Sequence, residues 1–176
     1  MKSKASIGGH PIHPMVVVFP IALFTATVAT LLAFIGTQDT FWYRAAMTAG
    51  AAGVSMALLA AIPGAIDLFS LPKDSPARAT GMKHASFAVL TIGIFAASTG
   101  VMYRNWMAKT NVDGIWQLDA TVPLAIGVAG MVTLVIVGIL GWTMVQTHHL
   151  GIKPTFVRPA REARIPDFRG TAFARH

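Results

Sequence analysis

Four long apolar segments, separated by short polar stretches, constrain this chain more than any other feature. Each is long enough to cross the hydrocarbon core of a bilayer, which takes about 20 helical residues. Because lipid offers no partner to an unpaired backbone group, membrane-spanning segments are helices or strands of a closed barrel. These runs are too long and too uniformly apolar for barrel strands. We therefore predict membrane helices over Met15–Ile35, Ala45–Leu68, His84–Tyr103 and Thr121–Thr147.

The composition agrees with this assignment. Hydrophobic residues make up 54% of the chain and charged residues only 12%, which is far from the balance of a water-soluble domain. The sequence predicts an all-α, integral membrane antiparallel four-helix bundle. We expect an N-terminal His-Pro segment over 1–14, the four-helix transmembrane domain over 15–151, and a basic, irregular cytoplasmic tail over 152–176. No repeat with a fixed period is evident.

The basic residues are distributed unequally between the two ends of this bundle. Eleven of the fourteen lie on the side that holds both termini and the second connection, and only Arg44, Arg104 and Lys109 lie on the other. Because Lys and Arg are retained on the cytoplasmic side, this bias predicts a multi-pass protein of the bacterial inner membrane with both termini in the cytoplasm. The basic tail has two open interpretations, a solvated segment beside anionic headgroups or a strap that docks on a partner subunit.

The histidines form the best functional clue. Alternating helix directions bring the start of the first helix, the start of the third and the end of the fourth to the same side of the membrane. Pro11 and Pro14 indicate that the first two imidazoles lie in an extended, stiffened segment rather than on a helix. We predict that one cytoplasmic-side pocket gathers the imidazoles of His10, His13, His84 and His148 and the carboxylate of Asp67.

Small residues predict which helix faces meet, because close backbone approach drives helix packing in lipid. Glycine and alanine form a stripe along the second helix that ends at Asp67, and a similar stripe along the fourth ends at His148. Both side chains should therefore point into the bundle, whereas His149 lies about 100° further round. Asp67 has two open interpretations: an anchor for a loop backbone or for a lysine, or a carboxylate that orients a metal-bound imidazole.

Several sequence stretches resemble a bacterial family of predicted four-helix membrane proteins, numbered 2231 among the domains of unknown function. They are GHPIHPMVVVFPIALF, the PGAIDL that ends the second helix, the His that opens the third, and GWTMVQTHHLGI. The resemblance covers nearly the whole span from Gly8 to Ile152 and implies the fold and the topology. It places the family's helix-four histidine on His148, while Trp142, Gln146 and His149 depart from the family pattern. Some relatives are joined to Rieske-type domains, which implies electron transfer.

Three classes of function remain open. The favoured one is a b-type haem or another iron centre held by His10, His13, His84 and His148, which passes single electrons. The second is a non-haem metal site built from imidazole and carboxylate, and the third is an accessory subunit without a cofactor. Phosphate loops, nucleophile motifs and cysteines are absent from the sequence, so a stand-alone enzyme is not expected. We expect lipid and either a second copy or a larger membrane complex as partners, and no nucleic acid.

Overall fold

The chain folds into a bundle of membrane-length helices. The computed structural model describes residues 3–150, and the expected tail over 152–176 lies outside them. The helices are α1 (Ile12–Val16), α2 (Val18–Thr37), α3 (Thr40–Phe69), α4 (Pro76–Met107) and α5 (Thr121–Gln146). Because α1 and α2 join at Val17 into one span, the described residues contain four helices long and apolar enough to cross a membrane. The predicted all-α membrane bundle is confirmed.

The first span begins earlier than the sequence suggested. Helix α1 starts at Ile12, so His13 and Pro14 lie in its first turn and not in an extended segment. For His13 the prediction was wrong because a proline is tolerated at Pro14: the first backbone N–H groups of a helix have no partner within the helix, and the proline removes only such a group. His13 therefore points from a helix, and its direction is set by how α1 packs on α3. His10 does lie in an extended segment.

Capping residues extend two other helices beyond their apolar parts. Helix α3 begins at Thr40 because the Asp39 carboxylate accepts a hydrogen bond from the Phe41 N–H at 2.8 Å. Helix α4 begins at Pro76, well before the predicted start at His84, and Ser75 caps it by accepting from the Arg78 N–H at 3.2 Å. Hydropathy finds the lipid-embedded part of a helix, whereas its caps decide where it begins.

The four spans pack as two helical hairpins, α2 with α3 and α4 with α5, which lie side by side. Three layers of buried side chains fill the bundle. The middle layer is built on Phe24, Ala57 and Phe95. A second layer, at the end remote from the N-terminal segment, centres on Tyr43 and Met102. The third layer, around Leu68 and Leu71, lies at the end that holds the N-terminal segment and the end of α5.

Two small β-hairpins lie outside the spans. Strands β1 (Ser6–Ile7) and β2 (His10–Pro11) pair before α1, and β3 (Thr110–Val112) and β4 (Ile115–Gln117) pair between α4 and α5. Both have two-residue turns with positive φ at both central positions, which are Gly8 with Gly9 and Asp113 with Gly114. Gly-Gly and Asp-Gly favour this turn because glycine and aspartate accept the left-handed conformation. The sequence analysis had predicted neither hairpin.

Candidate functional site

His13 lies in the first turn of α1, and its ring packs on α3. Its Nδ1 lies 2.8 Å from the carbonyl oxygen of Ala60. A carbonyl oxygen only accepts hydrogen bonds, so Nδ1 must carry a proton and donate. The ring reaches α3 because residue 64 is glycine: a Cβ at Gly64 would lie 2.9 Å from atoms of the imidazole. Gly64 and the Ala60 carbonyl together determine the position and the tautomer of His13.

Pro63 lies in the same turn of α3 that receives the His13 ring. A proline inside a helix has no N–H to donate and crowds the carbonyl four residues before it, so the backbone hydrogen bonds of that turn are weakened. The imidazole of His13 supplies a side-chain donor to this turn through the Ala60 carbonyl. The contact therefore lies one residue away from the interruption in the hydrogen-bond ladder of α3.

His84, on α4, is held in the same way by α5. Its Nδ1 lies 3.1 Å from the carbonyl oxygen of Val137, so this nitrogen also carries a proton and donates. The ring lies against Gly141, where an added Cβ would lie 3.3 Å from the imidazole Cε1. Each of the two histidines thus has a glycine beneath its ring and a backbone carbonyl that takes its Nδ1 proton.

The two imidazoles face each other across the bundle. Their ring centroids are 6.2 Å apart, and their planes are nearly perpendicular at 85°. Both residues are half-buried. Because each Nδ1–H is committed to a carbonyl, only Nε2 of each neutral ring has a lone pair free to accept a proton or a hydrogen bond. We call His13 and His84 the imidazole pair.

The other histidines of the predicted pocket have different neighbours. His148 lies half-buried at the end of α5, and its Nε2 is 3.2 Å from the Thr80 hydroxyl of α4. His10 lies in β2 and is exposed. His149 is exposed and has a left-handed backbone with φ of 50°. The structure therefore brings two of the four predicted imidazoles into one pair, and places the other two against Thr80 and in the N-terminal hairpin.

Asp67, near the end of α3, holds the N-terminal segment. Its Oδ2 accepts from the Ser3 hydroxyl at 2.7 Å, and its Oδ1 accepts from the backbone N–H groups of Lys4 and Ala5 at 2.8 and 3.0 Å. A carboxylate that accepts several N–H and O–H groups needs no cation beside it. This geometry corresponds to the anchoring alternative for Asp67 rather than to support of a metal-bound imidazole.

These placements overturn the expected iron centre. Within residues 3–150, no group of three or more His, Cys, Asp or Glu side chains is placed to hold a metal ion. The prediction of a haem or other metal-binding electron carrier was therefore wrong. The prediction depended on the histidines lying at the same depth in the membrane, but depth does not determine where a side chain points. His148 contacts Thr80, and His10 lies in the N-terminal hairpin.

The residues that orient the pair were not predicted from the sequence. Gly64 and Gly141 both belong to the predicted inward stripes of the second and fourth helices, but neither was matched to a ring. The carbonyls of Ala60 and Val137 carry no signal in the sequence, since every residue has one. A usable signal was present in the spacing, because the separation of Gly53 from Gly64 recurs between Gly130 and Gly141.

Comparison with known proteins agrees with the fold. A family model described as predicted membrane protein (DUF2231) matches residues 9–154. The match includes the imidazole pair, the N-terminal hairpin from its second glycine, and all four spans. Neither the curated proteins nor the solved structures contain a match to the chain. Since the model covers well over half of the sequence, the chain belongs to the DUF2231 family of predicted membrane proteins.

Proposed function

We propose that this chain is a proton-binding protein of the bacterial inner membrane, with both termini in the cytoplasm and the imidazole pair as its proton site. The orientation is supported by the order of the basic residues along the sequence, which assigns eleven of the fourteen to the side that holds both termini and the second connection. The observation that carries the proton site is the commitment of both Nδ1–H groups to backbone carbonyls, at 2.8 Å for His13 and 3.1 Å for His84. The two Nε2 atoms are then the proton acceptors.

The separation of the rings supports a site for one proton. Two unit charges at the 6.2 Å that separates the centroids repel each other by about 3 kcal/mol at an effective dielectric constant of about 20. The pair therefore binds a first proton much more readily than a second. A protonated Nε2 on one ring is a donor, and the unprotonated Nε2 of the other ring is an acceptor. The site thus favours a single proton, carried on one of the two imidazoles at a time.

On the sides of α3 and α5, glycines and backbone carbonyls surround the pair. From α3 it meets Gly64 and the Ala60 carbonyl, and from α5 it meets Gly141 and the Val137 carbonyl. Asp67, the acidic residue of α3 at this end, is occupied by the N-terminal segment. Histidine is the side chain that titrates near neutral pH, so the pair is suited to follow cytoplasmic pH.

Nitrogen NMR of ¹⁵N-histidine-labelled protein in lipid nanodiscs tests this function. At pH 8 we expect His13 and His84 as neutral Nδ1–H tautomers. As the pH falls, two separate protonation steps should appear for the pair, because the first charge opposes the second. In His84→Gln, which leaves one imidazole of the pair, the separation into two steps should disappear. His10→Gln is the matched control, because His10 is exposed and lies outside the pair, and should leave both steps unchanged.

Two results would contradict the proton site. The first is an Nε2–H tautomer for either ring at pH 8, since the carbonyl contacts require the proton on Nδ1. The second is independent titration of the two rings near the ordinary histidine value of about 6.5, with no effect of one substitution on the other ring. Either result would leave the imidazoles as packing residues that join α1 to α3 and α4 to α5.

We further propose that the bundle associates with a second copy through α4. The lipid-facing side of this helix carries four small residues in the i, i+3, i+4 and i+7 positions: Gly93, Ala96, Ala97 and Gly100. A Cβ on either glycine would meet no atom within 4 Å, so the face is open to a close helix approach. Mass measurement in mild detergent should show a dimer, and replacing both glycines by leucine should shift it to monomer. A wild-type monomer would rule this out.

A further inference from the structure

The sequence contains the same two patterns in each helical hairpin. In α1–α2 and again in α4, a phenylalanine follows a histidine at the same separation: Phe24 after His13, and Phe95 after His84. In α3 and again in α5, the pattern Gly-x-Ala-Gly-x8-Ile-x-Gly occurs, from residue 50 to 64 and from residue 127 to 141. Each ring of the first hairpin is separated from its equivalent in the second by the same number of residues. The glycines of the two hairpins are also separated by a constant number of residues, and that number is larger.

The contacts inside each hairpin repeat in step with these patterns. In the first hairpin Phe24 lies against Gly53, where an added Cβ would meet its ring at 2.8 Å. In the second, Phe95 lies against Gly130 at 2.7 Å, and these are the equivalent positions. The histidine rings also lie against glycines at equivalent positions. Their carbonyl partners, Ala60 and Val137, are separated in the sequence by the same number of residues as the equivalent glycines. One set of ring, glycine and carbonyl contacts is therefore present twice.

The contacts between the hairpins have the form of a two-fold symmetric interface. In such an interface, if residue i meets j, then the copy of j meets the copy of i. Gly50 of α3 meets Thr99 of α4, and Gly127 of α5 meets Val28 of α2. Thr99 is the equivalent of Val28, and Gly127 is the equivalent of Gly50, so the two contacts are copies of one another.

Residues on a two-fold axis must meet their own copies, and two pairs do so. Phe24 stacks on its equivalent Phe95, with ring centroids 4.0 Å apart and planes 6° apart. His13 faces its equivalent His84 at 6.2 Å. Both hairpins begin at the same end of the bundle, so the axis runs along the bundle, as in membrane proteins built from parallel repeats. The imidazole pair and the phenylalanine pair lie on this axis one above the other.

We infer that this chain is a duplicated helical hairpin, in which each half is the binding partner of the other, and that His13 and His84 are one position present twice. The interaction surface is the face of each hairpin that carries the glycines and the aromatic rings. The partner that fits this surface is the same face of the other hairpin. Departures occur at the ends: Asp67 has Met144 as its equivalent, because only the first half holds an N-terminal segment.

A search for a fixed period misses this duplication for a simple reason. The link from Phe24 to Gly53 is shorter than the link from Phe95 to Gly130. The additional residues belong to the connection that forms the β3–β4 hairpin, where the first half has only a tight turn between α2 and α3. Because the rings and the glycines need different shifts, they never align together in a single comparison of the chain with itself.

Cysteine cross-linking in the full chain tests the duplication, and the sequence has no cysteine of its own. A Cβ at Gly50 would lie 3.5 Å from the Thr99 Cβ, a separation at which disulfides form. The pairs G50C/T99C and V28C/G127C should both join the halves, read on a non-reducing gel after cleavage at a protease site placed in the 70–75 loop. The matched control is G50C/G138C, since Gly138 is exposed on α5, outside the proposed α4 interface, and a Cβ there would meet no atom of residues 3–150 within 4 Å.

Joining by both equivalent pairs, with the control unjoined, supports the duplication, whereas joining by only one pair or by the control overturns it. A second variant decides the matter if the cysteine proteins do not fold: residues 127–141 are replaced by the sequence of 50–64. This chimera should melt cooperatively, whereas the same insert placed one residue later, at 128–142, should aggregate because its glycines turn by about 100°. Equal behaviour of the two chimeras overturns the duplication. Neither test depends on proton binding. The duplication can therefore be supported even if the proposed proton site is refuted.

Discussion

Phe24 of α2 and Phe95 of α4 stack almost parallel at the middle of the bundle, with their ring centroids 4.0 Å apart. They join helices that belong to different hairpins, and both rings are buried, with 2% and 0% of their surface exposed. Each ring has a glycine behind it, so the stack is held from both sides. The contact is the centre of the interface between the two halves of the chain.

Removing either ring should therefore destabilise the bundle. We expect Phe24→Ala and Phe95→Ala each to lower the free energy of unfolding by about 1–3 kcal/mol, less than in a water-soluble core because the ring moves between protein and lipid. The double variant should lose less than the sum, with a coupling of about 1 kcal/mol for the stacked pair. Unfolding in mixed micelles measures these values. Phe19→Ala, on the exposed side of α2, is the control and should cost little.

The glycine beneath a ring should tolerate no side chain. Gly53→Ala places a Cβ 2.8 Å from the Phe24 ring, which must then move or strain the helix contact. We expect a loss of about 1–3 kcal/mol, the range found for overpacked cores. Gly138→Ala is the matched control, because its Cβ would meet no atom of residues 3–150 within 4 Å and alanine favours the helix more than glycine. Equal stabilities of the two variants in thermal unfolding would refute the proposed role of Gly53.

Thr99→Val should stabilise the protein. The Thr99 hydroxyl is buried beside Gly50 and has no hydrogen-bond partner among residues 3–150, which costs free energy. Its equivalent, Val28, already fills the same kind of contact with Gly127, so the fold accepts a valine there. We expect a gain of about 1 kcal/mol in the free energy of unfolding. Thr30→Val, on α2, is the control, since the Thr30 hydroxyl donates to the Ala26 carbonyl at 2.7 Å.

Asp67→Ala should release the N-terminal segment without unfolding the spans. Three hydrogen bonds to the carboxylate are lost, from the Ser3 hydroxyl and from the N–H groups of Lys4 and Ala5. Limited trypsin digestion, followed by intact mass, should show cleavage after Lys4 about tenfold faster or more, because local opening governs proteolysis. Asp74→Ala is the control, in the exposed loop before α4. Unchanged cleavage of the Asp67 variant would show that the hairpin contacts alone hold the segment.

Much of the fold was predictable because membrane insertion depends on local properties. The four spans follow from runs of apolar residues, and the side of the bundle on which each histidine lies follows from helix direction alone. Helix ends were less predictable, since α4 is extended by the cap at Ser75, a polar signal that hydropathy does not weigh. The left-handed turns at Gly8 with Gly9 and at Asp113 with Gly114 are indicated by their Gly-Gly and Asp-Gly dipeptides, but they were not predicted.

The sequence by itself determined that this is a membrane protein and how many spans it has. It also determined the end of the bundle at which His10, His13, His84, His148 and His149 lie. These properties depend on composition and on the order of the segments along the chain. Only the tertiary structure decided that His13 meets His84, that His148 meets Thr80, and that Asp67 holds the N-terminal segment. Such pairings depend on the rotation of each helix about its axis. That rotation is set jointly by all the glycine and ring contacts between neighbours, and no single segment contains it.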